Sequence, residues 1–272
     1  MTREQRHDLL FVLAFLAGAL ILLPPAFWGE SALCQRLLSP GVVLRAASLG
    51  KLFFLVFGAV YALRNLRRLA AENPVRPAWL LLSAGLVAYG LGQACLSYYQ
   101  VLRSVPTPFP SIADGFFLIA MLLLIPALVG FIRAYQSSGF PFDPKVDLAL
   151  TGGLSAVVLV VAGIIFLGPV VRPREEFGLG ELLEIVYPIA DFFLLVPALI
   201  LFKITWKFRG GQVGKMWLAL LVGFFAMAGG DVTFAYFTES VTPLLDAVVD
   251  LMFLASYISI ARGVLFQHEL LS

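Results

Sequence analysis

Eight apolar segments, each about as long as a bilayer is thick, constrain this chain more than any other feature. They run over residues 9–28, 42–63, 78–101, 111–132, 148–170, 182–202, 216–237 and 245–266. A helix needs about 20 mostly apolar residues to cross the hydrocarbon core. Backbone N–H and C=O groups cannot be left unpaired there, so the expected form is helical. Of the 272 residues, 60% are hydrophobic and 13% are charged, about half the charge of an ordinary soluble domain. The expected fold is therefore an all-α integral membrane protein of one domain, 1–272. Short connections make neighbouring spans antiparallel hairpins.

Arg3 and Arg6 ahead of the first apolar run have the shape of a signal peptide. Glu4 and Asp8 in the flank, and Pro24-Pro25 at its end, favour an uncleaved first span instead. Phe27-Trp28 suits an interfacial anchor. With eight spans both termini share a side. That side, with the 64–77, 133–147 and 203–215 loops, holds 13 of the 19 Lys and Arg residues. The other side holds six, counting Lys51 among them. The excess predicts cytoplasmic termini in an inner (plasma) membrane. The net charge of +2 gives no reason to expect nucleic acid.

Carboxylates recur in equivalent places. Pro110-Ser-Ile-Ala-Asp-Gly-Phe-Phe-Leu118 carries Asp114 at the start of a span. Tyr187-Pro-Ile-Ala-Asp-Phe-Phe-Leu-Leu195 carries Asp191, and Val249-Asp-Leu-Met-Phe-Leu254 carries Asp250. A second correspondence aligns Tyr89–Tyr99 with Met227–Phe237, so that Gly92-Gln93 falls on Gly230-Asp231 and Tyr98-Tyr99 on Tyr236-Phe237. Spans 78–101 with 111–132, and 216–237 with 245–266, then read as two parallel copies of one hairpin. At 1.5 Å of rise per residue, Asp114, Asp250, Asp231, Gln93 and Asp191 fall about 5–15 Å inside the outer ends of their helices. Intramembrane carboxylates are disfavoured toward lipid and should face the bundle interior.

The candidate ligand-binding residues are Gln93, Tyr98, Tyr99, Asp114, Glu184, Asp191, Asp231, Tyr236 and Asp250. Glu184 and Asp191, seven apart, share a helix face. Two accounts of these carboxylates stay open. Each Asp caps its own helix N-terminus, which suits Asp114 best and Asp191 least. Alternatively, several carboxylates share an outer pocket that takes a small ligand, a cation or protons. No metal or cofactor is expected, because two His and two Cys leave little to build a cluster and both His lie on the cytoplasmic flanks. Cys34 and Cys95 either meet on the outer side or stay single. Gly210-Gly-Gln-Val-Gly-Lys215 is not a phosphate loop, since Arg209 and Met216 replace its first Gly and its Ser/Thr. Pro126, Pro188 and Pro197 should kink their helices.

Pro108-Phe-Pro-Ser-Ile-Ala-Asp-Gly-Phe-Phe-Leu118, following the Gly-Leu-Gly-Gln…Tyr-Tyr helix, resembles a multi-span input (sensor) module of bacterial membrane signalling proteins. In that group the module precedes a diguanylate cyclase, a phosphodiesterase or a histidine kinase. The sequence departs from the pattern at Phe117, where Tyr is common, and the residues up to Ser272 include no segment expected to form an output domain. The resemblance implies a non-enzymatic sensory domain, lodged in the bilayer, whose last helix relays a signal to a cytoplasmic signalling partner. It supplies no ligand. Acidic residues in the last two spans also look somewhat like lysoplasmalogenase-type intramembrane hydrolases. That keeps a hydrolase with paired carboxylates as the alternative, and a small transporter as a third reading.

Overall fold

The computed structural model describes residues 2–105, 107–140, 178–206, 210–237 and 242–272, with positions 149 and 153; the side chains of 235–237 lie outside this set. The expected span 148–170 also lies outside the described residues. The described residues are mostly helical, with no strand among them. The helices are α1 (Arg3–Leu22), α2 (Pro24–Trp28), α3 (Ala32–Leu37), α4 (Pro40–Arg68), α5 (Arg76–Ser97), α6 (Ile112–Ser137), α7 (Leu179–Thr205), α8 (Gln212–Phe237) and α9 (Pro243–Leu270). A π-helical turn, Tyr98–Arg103, extends α5. Seven segments are long and apolar enough to cross a membrane, with α1 and α2 together forming one of them. This is the pattern of a multi-pass membrane protein.

Local chemistry sets where the helices begin. Thr2 and Gln5 close a capping box on α1, satisfying N–H groups that have no partner inside the first turn. Pro24 cannot donate to the ladder, so α1 stops at Leu22 and α2 restarts beyond it. Ser111 and Asp114 box the start of α6. Thr242 accepts from the Leu245 N–H at 3.3 Å to start α9, with Pro243 at its first position. Ser104 (φ 51°) and Gly139 (φ 82°) turn the chain in the left-handed region after the π-turn and after α6.

Among the described helices, α4 to α9 close a ring in chain order. Each packs on the next, and α9 returns to α4. Helix α1 lies outside, against α9 and α4. Its flank is largely exposed, as Leu9, Leu13, Leu16 and Leu20 show, which fits a lipid-facing helix. Both termini meet at one end of the ring, where His7 Nδ1 lies 2.5 Å from Glu269 Oε1. The core there is aromatic. Trp79 and Trp217 both pack edge-on against Phe131, with centroids 5.5 and 5.1 Å away, and all three rings are fully buried.

Two helix pairs pack by the same device at the same spacing. On α5, a Cβ at Gly85 would sit 2.8 Å from Leu124 and 3.3 Å from the Ala120 carbonyl of α6. On α8, a Cβ at Gly223 would sit 2.6 Å from Ile260 and 3.0 Å from the Ser256 carbonyl of α9. Seven residues further along, Gly92 faces the Phe117 ring and Gly230 the Phe253 ring. Small residues allow such close approach between membrane helices. Gly223→Leu should therefore cost about 1–3 kcal/mol, the usual range for overpacking, because the Ser256 carbonyl cannot move aside. Gly115→Ala on α6, where an added Cβ meets nothing within 4 Å, should instead gain about 0.5–1 kcal/mol. Thermal unfolding in detergent reads both.

Candidate functional site

The structure divides the predicted carboxylates into three kinds. Asp114 is a cap. Its Oδ2 accepts from the Ser111 N–H at 2.6 Å, and its Oδ1 accepts the Tyr187 hydroxyl of α7 at 2.7 Å. It fastens α6 to α7 as well as starting α6. Asp114→Ala should cost about 2 kcal/mol, a cap plus a charge-assisted bond. Tyr187→Phe should cost about half as much. Chemical denaturation in mixed micelles measures the two together.

Asp250 is one member of an ion pair. Lys51 Nζ of α4 donates to its Oδ1 at 2.6 Å, and the two side chains are 10% and 27% exposed. This corrects the placement of Lys51 with the outer loop charges. It stands 11 residues into α4, about 16 Å along the axis. The argument that directs intramembrane carboxylates inward applies equally to an intramembrane lysine. Lys51 also approaches the Phe253 ring, 5.9 Å from its centroid.

Asp191 and Asp231 form the third kind. Asp191 is 2% exposed, and among the described residues no N–H or hydroxyl donates to either of its carboxyl oxygens. The carboxyl that faces it, within side-chain contact, is that of Asp231 on α8. The two carboxyls hydrogen-bond to each other, one carrying the proton that the other accepts. Tyr89 of α5 and Tyr257 of α9 lie within electrostatic range of both carboxyls, and their rings are 6.2 Å apart. Four helices of the ring therefore meet at this pair. Two carboxyls this close in a low-dielectric interior cannot both ionise cheaply, and a proton held between them removes the repulsion.

The remaining predicted residues stand apart from this pair. Gln93 is buried and reaches the Ser48 carbonyl of α4 at 3.5 Å, beside a Ser48–Ser97 hydroxyl pair at 2.8 Å. Tyr98 and Tyr99 stack edge-on with each other in the π-turn, and Tyr98 is 46% exposed. Glu184 is half-buried in the second turn of α7. The Tyr236 side chain lies outside the described residues. Cys34 and Cys95 are both free. Among the described residues no group of three or more His, Cys, Asp or Glu is suited to a metal ion.

The opposite end of the ring carries a polar clasp that reading the spans did not reveal. Arg262 of α9, with a side chain 7% exposed, donates through Nε to Asp8 of α1 at 2.7 Å and through Nη1 to Glu269 at 3.1 Å. Its guanidinium stacks on Phe266 at 3.5 Å. His268 Nδ1 pairs with Asn65 Oδ1 of α4 at 3.0 Å, and Asn65 Nδ2 donates to the Val264 carbonyl at 2.9 Å. Lys215 of α8 pairs with Glu4. The two histidines, expected on the flanks, thus both contact the end of α9 or its neighbour α4. The signal for the clasp was present in the sequence, since Arg262 lies within the last apolar span.

A comparison of the chain with protein-family models, with curated proteins and with solved structures finds no match.

Proposed function

We propose that the chain is a transmembrane input module of the inner membrane, with cytoplasmic termini, whose polar site lies in the outer half of the helix ring. One observation carries this reading. Helix α9 runs unbroken from Pro243 to Leu270 and takes part at both ends. Near its start it holds Asp250 against Lys51, and at its middle it presents Tyr257 to Asp191 and Asp231. Near its end it holds Arg262, His268 and Glu269 in the clasp. A change of charge at the carboxyl pair would shift α9 as a rigid body, and the clasp would register the shift at the cytoplasmic face. A separate signalling protein, or a following domain, would read it there.

The excess of Lys and Arg in the loops on the terminal side supports the orientation. The matched glycine packing of α5–α6 and α8–α9 supports descent of the two hairpins from one unit, with 148–170 completing eight spans. Facing carboxyls are also what an intramembrane hydrolase would need, one as acid and one as base. That second reading predicts loss of turnover of a lipid substrate in Asp191→Asn.

Joining a soluble diguanylate cyclase domain after Ser272 tests the input reading. Substituting Asp231→Asn should change the basal output at least about threefold, as a shift of about 0.7 kcal/mol between two states would. Output equal to wild type in both Asp191→Asn and Asp231→Asn, with membrane levels unchanged, would refute it.

A further inference from the structure

We infer that the end of α4 binds one anionic phospholipid of the bilayer, with its phosphate on Arg64 and Arg68 and an acyl chain along an aromatic strip leading up to them. The strip is Phe53, Phe57 and Tyr61. Residues four apart share a helix face. The rings follow one another along it, with centroids 6.3 Å apart from Phe53 to Phe57 and 4.5 Å apart from Phe57 to Tyr61. Phe53 is 60% exposed, so the strip turns outward, toward lipid. Arg64 continues it, its guanidinium 5.1 Å from the Tyr61 centroid and within cation–π range. Arg68 stands one turn further on the same face. The length fits one leaflet. Phe53 to Arg64 is about 16 Å of helix, and half of a hydrocarbon core is about 15 Å. With Arg64 at headgroup depth, Phe53 lies near the middle of the bilayer.

The arginine end is braced, and it has charge to spare. The His268 ring of α9 meets Tyr61 edge-on at 4.8 Å, and His268 is itself fixed to Asn65 of α4 at 3.0 Å. Carboxylates at this end are already committed: Glu4 pairs with Lys215, and Asp8 and Glu269 pair with Arg262. Among the described residues no carboxylate pairs with Arg64 or Arg68, and both are exposed. Guanidinium groups present paired N–H donors that match phosphate oxygens. Basic clusters just beyond a membrane helix recognise anionic headgroups. An anionic head on an apolar tail fits both halves of the surface at once, whereas a soluble anion fits only the first. This inference goes beyond the input reading and does not rest on it; it needs only that α4 crosses the bilayer.

Native mass spectrometry tests it on the whole protein, released from detergent micelles titrated with dioleoyl phosphatidylglycerol or dioleoyl phosphatidylcholine. One phosphatidylglycerol molecule should bind at least about tenfold more tightly than phosphatidylcholine. Arg64→Gln/Arg68→Gln should lose that preference. Arg76→Gln/Arg133→Gln removes two exposed arginines from the same end and should keep the preference within about twofold. Glycerol phosphate, which has the headgroup chemistry and no tail, should not displace the lipid. Equal binding of the two lipids would overturn the proposal, as would a preference that survives Arg64→Gln/Arg68→Gln. An equal loss in both double variants would reduce the effect to diffuse surface charge, and displacement by glycerol phosphate would make the occupant a soluble anion; either result also overturns it.

Discussion

Lys51→Met should be among the most destabilising single substitutions in this chain, at about 3–5 kcal/mol. The side chain is 10% exposed and its partner Asp250 is 27% exposed, so solvent screens the pair little. Removing the lysine leaves a carboxylate inside the apolar ring with no cation to face. That penalty, more than the lost attraction, makes the effect large. Asp250→Asn should also be costly, because it strands the ammonium. The double variant Lys51→Met/Asp250→Asn should recover most of the loss, since replacing both charges of a buried pair is often close to neutral. A double-mutant cycle by denaturant unfolding should therefore give a coupling of about 2 kcal/mol or more. Additive single effects would mean that the two side chains do not act as a pair.

Arg262→Met is the second large effect, at about 3 kcal/mol, and its parts are unequal. Glu269 is 10% exposed and would be left beside His7 without its guanidinium, the costly case for a buried charge. Asp8 is 48% exposed, so its share is screened and small. Asp8→Asn should then cost under about 1 kcal/mol, while Glu269→Gln should cost distinctly more. Stacking on Phe266 and nearby Phe11 adds a contribution that Arg262→Lys would keep only in part. Chemical unfolding of the four variants in one detergent orders them. Equal costs for Asp8→Asn and Glu269→Gln would contradict this division.

The seven described spans were legible in the sequence, because a membrane span declares itself by length and hydropathy. Their ends were less so. The 42–63 window becomes Pro40–Arg68 and the 111–132 window becomes Ile112–Ser137. Hydropathy marks the part in hydrocarbon, whereas the hydrogen-bond ladder continues through charged turns such as Arg64–Arg68. Asp114 was legible as a cap because Ser111 stands three residues before it, a local signal. The division of labour among Asp191, Asp231 and Asp250 was not legible. It depends on which faces of α4, α7, α8 and α9 turn toward one another, a tertiary property.

Lys51 was the most informative miss, since a lone lysine within a span poses the same question as a lone aspartate. Tyr89, Tyr187 and Tyr257 were missed for a different reason. A tyrosine in an apolar helix reads as packing until its neighbours are known. Tyr187 had one local signal, its place four residues before Asp191 on the same helix face. The candidates near the helix ends, Tyr98 and Tyr99, fell away because the π-turn directs them toward each other and leaves Tyr98 exposed.

Transmission along α9 is the central claim, and deuterium exchange of the whole protein in nanodiscs tests it most directly. The comparison is wild type against Asp231→Asn, with peptides covering the first turns of α1 and the last turns of α9. The account predicts altered exchange at Glu4–Asp8 and at Arg262–Leu270, with the α5–α6 ends near Trp79 and Phe131 unchanged. Exchange at the clasp identical in the two proteins, despite the altered carboxyl pair, would contradict it.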